Sequence, residues 1–127
     1  MDSQPLSITR YSDEDLDEFR ELIEQKISRA RGQLEYYEQQ LRDQADNPDA
    51  KVRGLDDGTG TAESEAISSM ALRQRKLIQH LENALIRIQN KNYGVCRQTG
   101  KLIAKERLRA VPHATLSIAA KQNRKIS

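Results

Sequence analysis

Residues 47–60 read NPDAKVRGLDDGTG and separate two long segments that both show helical periodicity. Asn47-Pro48 favours the end of a helix, because proline lacks an amide hydrogen and restricts the residue before it. Three glycines follow, and between them lies the acidic pair Asp56-Asp57 with few apolar neighbours. We therefore expect two helices that fold back on each other. The loop between them either only reverses the chain or carries a function at the end of the hairpin.

The segment before this loop is predicted to form one amphipathic helix over about residues 13–46. Ser12 and Asp15 have the spacing of a capping box at its start. Apolar residues then recur at steps of three and four, as expected for one buried helix face. They are Leu16, Phe19, Ile23, Ile27, Ala30, Leu34, Tyr37 and Leu41. Residues 1–12 show no clear period and are interpreted as an N-terminal lead.

The segment after the loop repeats this pattern up to about Lys91. Its apolar positions are Ile67, Met70, Leu77, Leu81, Leu85 and Ile88. Two helices of similar length with matching apolar seams predict a mainly α protein, with an antiparallel coiled-coil hairpin over residues 13–91. His80 is interpreted as a solvent-exposed residue outside the seam.

Residues 92–127 contain only short apolar stretches interrupted by glycine and proline, and they predict a small C-terminal module. Two short apolar stretches flank a four-residue turn that ends at Gly100, which predicts a short β-hairpin. We expect a short helix over residues 104–110, then a last helix capped by Thr115, and finally a basic tail.

Charge is divided unevenly along the chain. Residues 1–66 carry 17 acidic and 8 basic side chains, whereas residues 67–127 carry 2 acidic and 13 basic ones. This asymmetry indicates either an acidic helix that lies against a basic one, or a basic end that meets a polyanion such as nucleic acid or a nucleotide. The low aromatic content of 4% suits long, largely solvated helices.

Composition also excludes several classes of protein. No apolar run reaches the roughly 18 residues of a membrane span, and no secretory signal is visible at the start. Cys96 is the only cysteine, so no intrachain disulfide can form and a cytoplasmic protein is expected. The sequence has no phosphate-loop motif, calcium-loop spacing or catalytic triad, and we therefore do not expect an enzyme.

A series of residues in the C-terminal module resembles a known motif. The series is Tyr93-Gly94-Val95-Cys96, Gly100, Ile103, Arg107-Leu108, Ala110, Pro112 and Ala114. In order and spacing it is similar to the zinc-finger signature of the DksA/TraR family. The resemblance implies a coiled-coil hairpin followed by a zinc-finger-like module, as the periodicity of the upstream segments also predicts.

The resemblance also implies where metal ligands would lie. The four cysteines of the family fall on Cys96, Thr99, Ser117 and Ala120, so that three thiols are absent. A structural zinc ion needs four good donors, usually thiolate or imidazole. We therefore expect no zinc and no other cofactor. The module is expected to be stabilised by apolar packing, with Cys96 as a small buried residue.

The function that the resemblance implies is regulation of transcription. Members of this family insert the hairpin tip into the secondary channel of bacterial RNA polymerase and act there through acidic residues. The tip motif of the family, in outline DxxDxA, begins at Arg53 and keeps only its second aspartate, as Asp56. Asp57 is an additional acid beside it. Arg53, Asp56 and Asp57 are therefore the expected polymerase-binding tip.

Some members of the family also bind guanosine tetraphosphate in a basic site shared with the polymerase. Arg107 and Lys121 match positions of that site, but His80 and Val111 stand in place of a lysine and an arginine. Since phosphate recognition depends on Lys and Arg, the loss of these two cations is expected to make binding of this ligand weak.

We predict a monomeric transcription regulator that binds RNA polymerase. The alternative is a coiled-coil module for protein–protein interaction, in which two hairpins could pair as a dimer, with no direct role in transcription. No recognition helix is evident, so direct sequence-specific DNA binding is not expected.

Overall fold

The computed structural model describes residues 10–46 and 61–126. This part of the chain contains four helices, α1 (Asp13–Asp46), α2 (Ala62–Gln89), α3 (Lys105–Ala110) and α4 (Ile118–Ile126). The mainly α class is thereby confirmed. The loop over residues 47–60 lies outside the described residues. No helix within the described ranges combines the length and the apolar content that a membrane span requires.

The predicted β-hairpin of the C-terminal module is reduced to one antiparallel bridge, between Val95 and Leu102. Hydrogen bonds from Cys96 N to Lys101 O (2.8 Å) and from Ile103 N to Gly94 O (2.7 Å) flank this bridge. Neither arm can extend further, because α3 begins at Lys105 and Gly94 turns the chain with a φ of 78°. The predicted β-hairpin is therefore not confirmed beyond this one bridge, although the reversal of the chain is present.

Side-chain caps and a left-handed residue set the ends of the long helices. Ser12 Oγ accepts a hydrogen bond from Asp15 N at 3.1 Å, as the capping motif predicts, and Thr61 Oγ1 accepts from Ser64 N at 3.1 Å. At the other end of α2, Asn92 N donates to Arg87 O at 3.0 Å, and Lys91 adopts a φ of 65°. This is a Schellman-type ending, and it stops α2 at Gln89, two residues before the predicted end.

The chain divides into two compact units. The helical unit, Ile27–Gln79, contains the later part of α1 and the earlier part of α2. The module unit contains Met1–Lys26 and His80–Ser127.

Within the helical unit, α1 and α2 run antiparallel. Arg75 Nη2 lies 2.8 Å from Glu38 Oε2, and the Ser64 hydroxyl donates a hydrogen bond to Gln44 Oε1. Later residues of α1 therefore meet earlier residues of α2, as in the predicted hairpin. Among the described residues of this unit, those that are buried are Ile27, Ala30, Ile67 and Ala71.

Met70 does not belong to the seam, contrary to the sequence-based prediction. Its side chain is 45% exposed, whereas Ala71 is 1% exposed. The seam advances by four residues from Ile67 rather than by three. Either step is compatible with a helical period of 3.6, and the smaller side chain is the one that the partner helix covers.

The module unit has its own apolar core, built from α1, α2 and the C-terminal module. Phe19 is the centre of an aromatic cluster, with its ring centroid 5.8 Å from that of Tyr11 and 5.3 Å from that of Tyr93. Both tyrosine hydroxyls are satisfied, since Tyr93 donates to Pro112 O at 2.8 Å and Tyr11 donates to Ile103 O. The other hydrophobic residues of this core are Leu16, Ile23, Leu81, Ala84, Ile88, Cys96, Ile103, Leu108, Ala114 and Ala120.

Acidic residues at the start of α1 pair with lysines from later in the chain. Asp13 Oδ1 lies 3.0 Å from Lys91 Nζ, and Asp15 Oδ1 lies 3.0 Å from Lys105 Nζ. Hydrogen bonds from these lysines lower the pKa of both carboxyl groups. The pairs are solvent-exposed and contribute little stability each. These two lysines lie beyond α2, whereas the predicted pairing of an acidic helix with a basic one concerns α1 and α2, between which Glu38 and Arg75 form an ion pair.

Candidate functional site

A tight turn in the C-terminal module surrounds the single thiol of the chain. Cys96 is 1% exposed, and its carbonyl oxygen accepts a hydrogen bond from Gly100 N at 2.8 Å. Gly100 has a φ of 74°, which a residue with a side chain rarely adopts. The turn is thereby closed by a backbone hydrogen bond between its first and last residues.

Burial by itself raises the pKa of the Cys96 thiol, but hydrogen bonds from Thr99, Ser117 and Gln98 outweigh it and lower the pKa to about 6. One of these bonds is visible in the geometry, since Ser117 N lies 3.4 Å from the Cys96 sulfur. Such amide-to-sulfur bonds stabilise a thiolate in the way that a metal ligand requires. The hydrogen bonds around Cys96 therefore favour its thiolate form, as they would in a metal-binding loop, although only one thiol is present.

The other three positions at which the family carries ligands are engaged differently. Ser117 Oγ accepts a hydrogen bond from Ala120 N at 3.1 Å and so caps α4, in place of the predicted cap Thr115. Thr99 Oγ1 accepts from Lys101 N at 3.2 Å. Ala120 contributes a methyl group that is 1% exposed.

These residues do not fit a tetrahedral zinc site. One thiol, two hydroxyls and a methyl group lack the four thiolate or imidazole donors that a structural zinc ion needs. Elsewhere in residues 10–46 and 61–126, no group of three or more His, Cys, Asp or Glu side chains could hold a metal ion.

A cavity of about 680 Å³ lies in the module unit and is lined mainly by basic side chains. None of the described residues that line it is acidic. Its charged and titratable residues come from α2, the turn, α3, the loop before α4, and α4 itself. They are His80, Arg87, Arg97, Arg107, His113 and Lys121.

The loop over residues 113–116 holds the lining arginines in place through its carbonyl groups. Arg87 Nη2 donates to His113 O at 3.4 Å, and Arg107 Nε donates to Leu116 O at 2.8 Å. Between them, Thr115 O accepts from Arg97 N at 2.9 Å. Three carbonyl groups of one loop therefore hold the side chains of Arg87 and Arg107 and the backbone of Arg97.

Two histidines stack at the edge of this cavity. The ring centroids of His80 and His113 are 5.4 Å apart, and the ring planes differ by 10°. Nδ1 of His113 is buried and has no hydrogen-bond partner among the described residues. Burial lowers the pKa of His113, and the neighbouring His80 and Arg87 lower it further.

The structure brings some of the predicted site residues together. Arg107 and Lys121, which the resemblance suggested, line one cavity, and His80 lines it as well. Val111 is half-buried and does not belong to the lining. The expected tip residues, Arg53, Asp56 and Asp57, lie outside the described residues.

The sequence did not single out Arg87, Arg97 or His113 as members of this site. The only signal was the excess of basic residues after residue 66. That excess indicates a cationic surface without saying which side chains meet on it.

Comparison with known proteins places this architecture in a family. Residues 91–124 match the prokaryotic dksA/traR C4-type zinc finger. The RNA polymerase-binding transcription factor DksA of Caulobacter vibrioides is 33% identical over 105 aligned positions, which cover 71% of this chain and 74% of that protein. DksA of Escherichia coli K12 is 31% identical over 106 positions, with 77% and 70% covered.

A solved structure, that of transcription factor DksA2 from Pseudomonas aeruginosa, has the same fold. Its TM-score is 0.74 at 25% sequence identity, and the match covers 97% of this chain and 91% of that one. A two-helix hairpin followed by a finger-like turn thus defines the class of protein. The chain belongs to the DksA/TraR family, which confirms the resemblance seen in the sequence.

Proposed function

We propose that this protein is a non-enzymatic, cytoplasmic transcription regulator that binds bacterial RNA polymerase. The observation that carries the proposal is its identity of 33% to a protein named RNA polymerase-binding transcription factor DksA, over 74% of that protein. The fold supports the same conclusion, since it matches a second transcription factor across both the hairpin and the module.

We propose further that binding uses insertion of the hairpin into the secondary channel of the polymerase. The antiparallel contacts of the helical unit support this mode of binding, because Gln44 of α1 pairs with Ser64 of α2 close to the ends that residues 47–60 connect. Arg53, Asp56 and Asp57 are the proposed contacts of this connecting segment. Because Arg53 replaces an acid of the family motif, insertion can be retained while the effect on transcription differs.

The basic cavity is the candidate site for guanosine tetraphosphate. We expect this ligand to bind weakly. Arg107 and Lys121 line the cavity and could contact phosphate. His80, however, replaces a lysine and Val111 replaces an arginine, so that two permanent cations of the family site are missing.

The decisive experiment is capture of core RNA polymerase by the purified protein, followed by transcription from a responsive promoter. We expect the wild-type protein to form a complex. The double variant Asp56→Asn/Asp57→Asn should still form it but should lose the effect on transcription. Asp49→Asn, a change in the same loop, is the matched control and should behave as the wild type. Failure to capture polymerase would contradict the proposed function, and an unchanged effect of the double variant would contradict the tip assignment alone.

The second candidate function is that of a hairpin that pairs with another coiled coil. Three exposed apolar side chains of the helical unit favour it, namely Tyr36 (58% exposed), Met70 (45%) and Leu72 (48%). Light scattering separates the two functions, since the proposed regulator should have the mass of a monomer. An obligate dimer that loses its pairing in Met70→Gln/Leu72→Gln would favour the second candidate.

A further inference from the structure

We propose that the stacked rings of His80 and His113 form a pH-sensitive contact, and that protonation of His113 releases the loop over residues 113–116 from its neighbours. The proposal concerns the free protein and does not depend on polymerase binding. It would make the arrangement of the basic cavity respond to mild acid.

The geometry around His113 favours its neutral form. Its Nδ1 is buried without a hydrogen-bond partner among the described residues, which a neutral ring tolerates as a bare lone pair. A proton on Nδ1 would create a buried donor without an acceptor, and such a donor costs more than an unpaired acceptor of a neutral ring. A proton on His113 would also place a cation in the ring that stacks on His80, at a centroid distance of 5.4 Å.

The charged and titratable groups that line the cavity with His113 come from every neighbouring element, and among them His80 and Arg87 lower its pKa. His80 and Arg87 approach from α2, Arg97 from the turn and Arg107 from α3, while Lys121 lines the cavity from α4. Tyr93, whose hydroxyl donates to Pro112 O, stays neutral because burial raises its pKa. An additional positive charge on His113 would therefore be repelled by the lining cations. No described carboxylate lines the cavity to attract it.

The sign of the pH dependence follows from these contacts. In the closed loop the pKa of His113 is lowered, chiefly by burial. An open loop would return it to the ordinary histidine value of about 6.5. Above that value both forms are neutral and the loop keeps its full stability. As the pH falls through the lowered pKa, the open loop binds the proton more readily and the closed loop loses stability.

Opening of this loop would affect the cavity directly, because the loop carries the acceptors for its arginines. His113 O, Thr115 O and Leu116 O accept hydrogen bonds from Arg87, Arg97 and Arg107. Displacement of the loop would remove these three acceptors together. The three arginines would then no longer be held at the basic cavity.

The test is an NMR titration of the free protein from pH 8 to pH 5, in a buffer without phosphate or sulfate. The His113 ring should titrate with a midpoint below that of free histidine. Amide hydrogen exchange, corrected for its intrinsic pH dependence, should accelerate at Arg97 N and Ala114 N with the same midpoint. Each pKa unit of lowering corresponds to about a tenfold change in the opening equilibrium. Ile103 N, which donates to Gly94 O in the same module, should remain protected.

Two variants complete the test. His80→Gln alters an exposed residue and should move the His113 midpoint upward, because the repulsion from His80 is removed. Gln79→Ala, one residue earlier on α2 and also exposed, should leave that midpoint unchanged. A His113 midpoint at or above that of free histidine would overturn the proposal. The proposal would also be overturned if the corrected exchange rates at Arg97 N and Ala114 N did not change with pH, or if the rate at Ile103 N increased equally.

Discussion

The hydroxyl oxygen of Ser117 lies 3.8 Å from the sulfur of Cys96 and accepts the amide hydrogen of Ala120 at 3.1 Å. Both residues stand at positions where a C4-type finger carries cysteine, yet here they form a helix cap and a buried sulfur. Ala120, at a third of these four positions, contributes a buried methyl group. Local hydrogen bonds and packing therefore replace the metal centre at these positions. The contribution of each contact to stability can be tested by substitution.

Ser117→Ala should destabilise the protein by about 1 kcal/mol, because the first turn of α4 loses its side-chain acceptor. Chemical denaturation followed by circular dichroism measures the change. Thr115→Ala is the matched control, since its backbone carbonyl still accepts from Arg97 N after the substitution. Equal losses for the two variants would contradict the assignment of Ser117 as the cap.

Chelation should leave the protein folded. With one thiol among the four ligand positions, an excess of EDTA is expected to leave the melting temperature unchanged, and metal analysis should find zinc far below one equivalent. Stoichiometric zinc in the purified protein, or a fall in melting temperature on chelation, would show that donors outside these four positions complete a site.

Gly94→Ala should cost about 2–4 kcal/mol of stability, from a left-handed backbone and a steric clash together. A Cβ atom at this position would lie 2.7 Å from the ring of Tyr11 and 3.1 Å from Leu108, and the φ is 78°. Gly100→Ala separates the two causes, because its φ is 74° but nothing lies within 4 Å of the added atom. We expect thermal denaturation to show the smaller loss for Gly100→Ala, and the reverse order would argue against the contact with Tyr11.

The thiol of Cys96 should resist modification in the folded protein. A pKa of about 6 would make an exposed thiol reactive at neutral pH, but this side chain is only 1% exposed. Reaction with a coloured disulfide reagent is expected to be slow in native buffer and to reach one equivalent in denaturant, since the chain has one cysteine. Rapid stoichiometric reaction of the native protein would show that the turn opens readily.

The long helices could be predicted because their signals are local. The Ser12 cap and the apolar steps from Leu16 to Ala30 are each set by residues within one or two helical turns. Predictions failed where two neighbouring residues were equally suitable. Met70 and Ala71 both satisfy the helical period, and Thr115 and Ser117 can both cap a helix, so that tertiary packing decided between them.

The basic cavity could be predicted only in part, because it depends on contacts between distant residues. Arg107 and Lys121 were found through the resemblance, which assigns positions one at a time. Arg97 and His113 reach the same cavity because the loop over residues 113–116 folds back on the turn and on α2. The local sequence around either residue gives no signal for such a contact.

The hydrogen bond from Tyr11 to Ile103 joins residues that are 92 positions apart. During synthesis, the ring of Tyr11 emerges from the ribosome long before the carbonyl group that it binds. Phe19 is likewise synthesised well before Tyr93, the ring on which it packs. The C-terminal module can therefore complete its core only after synthesis has passed Ile103. A fragment that began at residue 92 would lack both rings, and we therefore expect that it would not fold by itself.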